Sequence, residues 1–335
     1  MFKEWKRVWE ARKWMKKNEG FLPTWHAYIG FKMNLFDELA NGKTLSELQH
    51  STNMDEQLLT CWVDVGTVIG HLYVGDKQKI YPTKHMITYF SANSRYSVGE
   101  LLREMMELHI PTLLNYPYLL TNEATRKNYD HDGFGQTVAE TSALIEKFAF
   151  PKVNKKIKKS KATSVLDIGC GHAGYLVRLS KLYKNKEFTG IDINRSVVDK
   201  AQKKIKENKV NNVNVYQKDI TTGDKINQVF DYIMMNNLLH YFSREGREQL
   251  FQLTYDSLEK NGSLTIISPL YLSKNGKAFS VAFNSFMTAH ENLHPIPTED
   301  EIRTYAQNTG YEINEITPVV KEGSWYMIAM KKESK

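Results

Sequence analysis

Only two of the 335 residues are cysteine, Cys61 and Cys170. That is too few for a disulfide framework or a four-thiolate zinc site. No apolar run approaches the ~18 residues that a membrane-spanning helix needs. The opening stretch, Met1-Phe2-Lys3-Glu4-Trp5-Lys6-Arg7, has charge where a secretory signal has its apolar segment. The expected setting is therefore the reducing cytoplasm. No internal repeat is visible. Hydrophobic residues at 41% and aromatics at 12% exclude a disordered or collagen-like chain. At ~150 residues per domain, the length suggests about two domains.

The excess of base over acid is local. The chain carries a formal net charge of +7. Residues 1–20 hold seven bases and three acids, and residues 152–161 hold six lysines and no acid. Everything else is slightly acidic. A nucleic-acid binder usually spreads its bases over a docking face. The two clusters read instead as an amphipathic leader and a solvated lysine connector.

The first half reads as helices with one small hairpin. Trp5, Trp9 and Met15 recur at near-helical spacing over 3–17. Such a helix could lie on a membrane, but packing on the body or on a partner subunit is more common. A second amphipathic helix is expected over 24–40, stopped at Asn41-Gly42. Thr44-Leu45-Ser46-Glu47 has the capping-box pattern, in which two side chains satisfy free helix amides. Helices at 45–50 and 55–69 follow, then strands at 71–74 and 79–82 bent at Gly75-Asp76. Three helices and a two-stranded wing make a winged-helix arrangement.

From about residue 161 apolar strands alternate with amphipathic helices. Strands are expected at 163–168, 187–191, 212–216, 229–235 and 262–268, with helices at 173–184, 195–208, 243–259 and 298–308. This rhythm implies parallel strands joined by right-handed crossovers. The last two strands, 311–317 and 324–331, have only a Gly323 turn region between them and should pair antiparallel. The fold class is an open, Rossmann-like α/β sheet with a reversed edge hairpin.

The most informative stretch is Val165-Leu166-Asp167-Ile168-Gly169-Cys170-Gly171-His172-Ala173-Gly174. A strand runs into a glycine loop that opens a helix. Gly169, Gly171 and Gly174 allow close backbone approach, and the helix start offers free amides. The pattern alone is weak, since phosphate-binding domains share it. Asp167 shifts the balance, because a carboxylate there repels pyrophosphate and suits an ammonium. Asp192, 23 residues beyond Gly169 and followed by Ile193, can accept both hydroxyls of a ribose. Asp219 suits an adenine amino group, with Ile220 to pack on the ring. Asn236 ends the fourth strand of the sheet at the same edge. Ammonium, ribose and adenine in that order describe S-adenosylmethionine.

These features resemble a class I S-adenosylmethionine-dependent methyltransferase over 161–335. With the winged-helix first half, the chain is similar to the small-molecule O-methyltransferases of the caffeate and acetylserotonin type. The resemblance implies a seven-stranded sheet and an N-terminal domain, 1–125, that forms a homodimer. A helical, lysine-rich linker (126–160) would lead to the catalytic domain (161–335). In that family the histidine of a Leu-His-aromatic segment after the fourth strand takes the proton from the acceptor. His240 matches it, and a neutral imidazole suits a base near neutral pH. The chain departs from the family where glutamates orient that histidine: Ser268 and the Ile296-Pro297 region stand there. A thiol, amine or acidic phenol acceptor tolerates that loss best.

The segment 279–294 reads as a helix over the acceptor pocket, with Phe286, His290 and His294 facing the acceptor together with His131. His290-Glu291-Asn292-Leu293-His294 also has the H-E-x-x-H pattern, which on a helix could hold zinc. A polar pocket lining without metal is the favoured reading. Two other functions stay open: non-transfer chemistry with the same cofactor, such as cyclisation, and a nucleic-acid methyltransferase or regulator. Asn236-Asn237-Leu238-Leu239 lacks the prolines and aromatic that base-modifying enzymes place there. The expected partner is therefore a small-molecule acceptor, and nucleic acid is disfavoured.

Overall fold

The computed structural model describes residues 2–220 and 226–333, apart from the side chains of residues 2, 131, 132, 135, 136 and 139. The chain divides at Pro111/Thr112 into two compact units.

The first unit holds helices α1 (Phe2–Glu19), α2 (Phe21–Lys32), α3 (Leu35–Glu38), α4 (Leu45–Thr52) and α5 (Glu56–Val68), strands β1 (Leu72–Val74) and β2 (Ile80–Pro82), then α6 (Lys84–Phe90) and α7 (Gly99–Glu104). Thr44 and Glu47 form the expected capping box on α4. The helix expected over 24–40 is broken. Asn34 adopts a left-handed backbone (φ 55°), which asparagine tolerates better than most residues. The turn brings the Phe36 ring back onto Gly30, where a β-carbon would lie 2.3 Å from the ring. Phe36 is fully buried among Leu39, Leu48, Trp62 and Met86.

Helix α8 (Ile110–Leu114) spans the division, and α9 (Tyr116–Leu120) and α10 (His131–Ser160) follow. The remaining elements are β3 (Ser164–Ile168), α11 (Gly174–Leu182), β4 (Glu187–Asp192), α12 (Arg195–Glu207), β5 (Val213–Gln217), β6 (Phe230–Asn236), α13 (Arg244–Asp256), β7 (Leu258–Pro269), α14 (Lys277–Thr288), α15 (Glu299–Thr309), β8 (Tyr311–Val320) and β9 (Trp325–Lys332). The seven strands lie in the order β5-β4-β3-β6-β7-β9-β8, and β9 runs antiparallel to both neighbours. Residues of α10, α11 and α12 build one hydrophobic cluster on the sheet, and residues of α13 and α15 build the other. The chain leaves β3 for β4 on one side and returns through β6 on the other. This reversal opens a crevice at the carboxyl ends of β3, β4 and β6, where ligands of such sheets bind.

Two expectations are corrected here. The stretch 152–161 is no solvated connector: all of it but Lys161 belongs to the 30-residue α10, whose Ala149, Phe150, Val153 and Ile157 are buried in the sheet core. Lys155, Lys158 and Lys159 point outward, and Lys156 pairs with Glu315 of β8. The lysine run is the wet face of a packed helix, whose apolar partners are spaced four apart and diluted by charge. The helix expected over 279–294 ends at Thr288. Beyond Ala289 the backbone leaves the helix to bridge residues 127–129: Glu291 N donates to Lys127 O at 3.1 Å, and the Asn292 amide bonds both the N–H and the carbonyl of Tyr129. His290 and His294 are therefore not one turn apart on a helix.

If α10 is a core element, Ile157→Ala should cost about 2–5 kcal/mol in urea unfolding. Lys158→Ala should stay within about 0.5 kcal/mol. Equal, small effects would restore the connector.

Candidate active site

The site is built on the loop that follows β3. Gly169 (φ 71°) and Gly171 (φ 52°) both adopt left-handed backbones, which glycine takes at little cost. The reversal lets two successive amides, Gly169 N and Cys170 N, donate to the Ile191 carbonyl at 2.9 and 3.0 Å. Asp192 then locks the loop: Oδ2 accepts from Gly171 N and Oδ1 from Asn194 N, each at 3.0 Å. Asn194 in turn caps α12 through Val197 N. One carboxylate thus ties the ends of β3 and β4 and the starts of α11 and α12 into a single rim.

That rim encloses a cavity of about 840 Å³. All nine residues expected to hold the cofactor line it: Asp167, Gly169, Gly171, Gly174, Asp192, Ile193, Asp219, Ile220 and Asn236. Asp167 is only 1% exposed, and its main side-chain partner is Asn236, whose Nδ2 donates to Oδ1 at 3.3 Å. Burial pushes the Asp167 carboxyl well above its ordinary range, against the Asn236 hydrogen bond, and the nearby charges of Glu146 and Asp192 raise it further. Burial, then Asp167 and Asp192, also push the Cys170 thiol up, so it is no thiolate nucleophile. The buried Oδ1 atoms of Asn236 and Asn237 accept no hydrogen bond from the described residues. A cavity with two acceptors awaiting donors and a rim of carboxylates suits a ligand rich in N–H, O–H and positive charge.

The residues expected at the acceptor fall differently. His240 sits in the turn Leu239–Tyr241, 3% exposed; its neighbours Tyr241 and Phe242 line the cavity, and it does not. Its ring centroid lies 4.3 Å from Tyr241 and 6.0 Å from Phe283. Phe283 stacks toward Phe286, and Phe286 stands 4.7 Å from His290. Tyr129 meets both Phe286 and His290 edge-on and also lines the cavity. These rings form one aromatic wall beside the cavity. His294 joins through its backbone, its N–H donating to the His240 carbonyl at 3.1 Å. His131 lies outside the described side chains. Among the described residues no group of three or more His, Cys, Asp and Glu is placed to hold a metal. Ser268 donates to the Pro269 carbonyl at 3.0 Å and is fully buried. Arg247, 2% exposed, donates from Nε to Leu239 O at 2.8 Å and from Nη2 to Pro295 O. It thereby clamps the His240 turn to the segment after His294.

Sequence reasoning missed one wall altogether. Val138, Ser142, Ile145 and Glu146 of α10 line the cavity, and Ser142 Oγ accepts from Asn237 Nδ2 at 3.0 Å. The spacing 138-142-145-146 is one face of a helix, a signal hidden because the segment was assigned to a linker.

A family model described as a methyltransferase domain matches residues 165–262. The fold over 97% of the chain is that of an O-methyltransferase family protein from Burkholderia thailandensis, 17% identical over 98% of that chain with a TM-score of 0.80. Human N-acetylserotonin methyltransferase, solved with S-adenosylmethionine, is likewise similar over 97% of this chain and 98% of its own, at 15% identity and a TM-score of 0.74. By sequence, release factor glutamine methyltransferase of Flavobacterium psychrophilum is 30% identical over 42% of this chain and 52% of its own length. The chain spans between 18% and 57% of the length of the curated relatives it matches. Residues 165–262 thus match a methyltransferase domain, and the fold of the chain is the one seen in the O-methyltransferase structures.

The raised carboxyl of Asp167 gives a stability prediction. The folded chain keeps a proton that the unfolded chain releases near pH ~4. The carboxyl's cost is therefore absent below that pH and grows as pH rises toward the folded value. Asp167→Asn removes it. The variant should melt like the parent near pH ~4–5 and several degrees higher at pH 8, at roughly 2–4 °C per kcal/mol. Parallel melting curves at both pH values would contradict it.

Proposed function

We propose that this chain is an S-adenosylmethionine-dependent methyltransferase acting on a small-molecule acceptor through an oxygen, sulfur or nitrogen nucleophile. The observation that carries this reading is the convergence of the glycine loop, three strand-end carboxylates and two orphaned amide oxygens on one cavity. The cofactor, when bound, supplies a methyl group already activated by its sulfonium. In this reading Asp192 takes the ribose hydroxyls with lone pairs left over from its two loop amides. Asp219 meets the adenine amino group, Ile193 and Ile220 flank the ring, and Asp167 with Asn236 faces the amino-acid end. Asn236 and Asn237 offer their oxygens as acceptors.

Transfer needs a nucleophile held in line with the methyl group, and fixing that geometry can supply much of the rate. The aromatic wall of Tyr129, Phe283 and Phe286 suits a flat, apolar acceptor body. His240 is the candidate base. Ser268 is bonded to backbone, and the backbone of the His240 turn is held by Arg247 and by the His294 N–H. The same reading makes the first unit a winged-helix domain and the homodimer contact, supported by the helix–helix–hairpin order and by α1, which leaves Trp5, Trp9, Trp14 and Met15 more than half exposed. A cytoplasmic setting accords with two free cysteines.

Calorimetry tests the cofactor. The parent should bind S-adenosylhomocysteine, and Asp192→Ala should weaken it by roughly 10–100-fold, the worth of hydrogen bonds to a charged group. No binding by the parent ends the reading. For the base, His240→Ala should lower turnover by about 10²–10⁴-fold in an assay with labelled S-adenosylmethionine and small phenols, thiols and amines, with cofactor affinity unchanged. Turnover near that of the parent would make His240 structural.

A further inference from the structure

The start of a helix after a glycine loop is ordinarily an anion site, because its free amides and dipole attract phosphate. Here that position is already taken from within the chain. Helix α11 begins at Gly174, and its N-cap residue, Ala173, has a left-handed backbone and no side-chain cap. Glu146, from α10, lies directly over it: a β-carbon at Gly174 would sit 2.3 Å from Glu146 Oε2. Gly174 leaves room for this close approach of the Glu146 carboxylate. The carboxylate is held in place. Its Oε1 accepts from Arg178 Nη1 at 3.0 Å, and the Arg178 guanidinium packs 3.6 Å over the Phe150 ring, one turn along α10 from Glu146. Glu146 and Gly174 both line the cavity, beside the fully buried Asp167.

We propose that Glu146 determines the ligand specificity of this loop: it receives the α-ammonium of the cofactor's amino-acid end and keeps phosphate-bearing nucleotides off the α11 amides. The inference rests on the methyltransferase reading and assigns the residue that makes a phosphate-type loop select a cationic ligand. Two carboxylates, Glu146 and Asp167, flank the position where an ammonium would sit, while the same pair repels pyrophosphate. The charge of Glu146 on Asp167 is the electrostatic trace of this crowding, and an incoming cation relieves it.

The test uses the full chain and three ligands in calorimetry: S-adenosylhomocysteine, its desamino analogue, and ADP. In the parent, S-adenosylhomocysteine should bind best and ADP should not bind measurably. Glu146→Gln, nearly identical in shape, should weaken S-adenosylhomocysteine by roughly tenfold or more, leave the desamino analogue within about twofold, and improve ADP. Gly174→Ala, which pushes the carboxylate away, should show the same selective loss. An equal loss for S-adenosylhomocysteine and the desamino analogue, or no loss for either, overturns the role of Glu146 while leaving the cofactor reading intact. A parent that binds neither adenosyl ligand overturns both.

Discussion

The carboxylate of Asp192 is the constraint on which the rest of the site depends. It holds Gly171 N with one oxygen and Asn194 N with the other, while the Ile191 carbonyl just before it gathers Gly169 N and Cys170 N. Left-handed glycines alone would leave the loop free to flex. Bonding its amides to the neighbouring strand fixes where the loop ends and where α11 starts. Asn194, placed by the same carboxylate, caps α12. The cavity therefore has a rigid rim whose shape follows from parallel pairing of β3 with β4, and any ligand meets a preformed surface.

Rigidity comes with electrostatic strain. Asp167 is buried with one amide hydrogen bond and two other carboxylates nearby. Removing a carboxyl from water without a cation costs several kcal/mol unless it keeps its proton. Among the described residues no lysine or arginine bonds Asp167, so a cation arriving with a ligand would relieve this cost. Arg178 is committed to Glu146 and Phe150. The strain, the two orphaned asparagine oxygens and the acids at successive strand ends all describe the complement of one cationic nucleoside.

The aromatic wall beside the cavity, where the proposed acceptor would lie, is organised by ring packing. His240, Phe283, Phe286, His290 and Tyr129 form a chain of ring contacts. The backbone of the His240 turn is pinned by Arg247 and by His294 N–H. A buried guanidinium bonded to two carbonyls holds two loops at a fixed spacing and fixes the backbone of the His240 turn.

Strand ends, the glycine loop and its acids were legible in the sequence because each is a local signal: a period of two, a period near 3.6, or a glycine where the backbone must turn. The reversed last hairpin was legible for the same reason, since a short connection cannot cross a sheet. What the sequence could not disclose was anything decided by a partner far along the chain. Asn34 breaks a helix because Phe36 returns to Gly30, and H-E-x-x-H fails as a helical motif because Lys127 claims its backbone and Tyr129 its Asn292 side chain. The lysine run reads as a connector because charge masks its two buried apolar positions, Val153 and Ile157. The sequence by itself determined the order of elements and which acids stand at the sheet edge, because strand alternation and turn chemistry are local. Only the tertiary structure decided that α10 closes the cavity and sets Glu146 against Gly174, because that contact joins residues 28 positions apart across two helices.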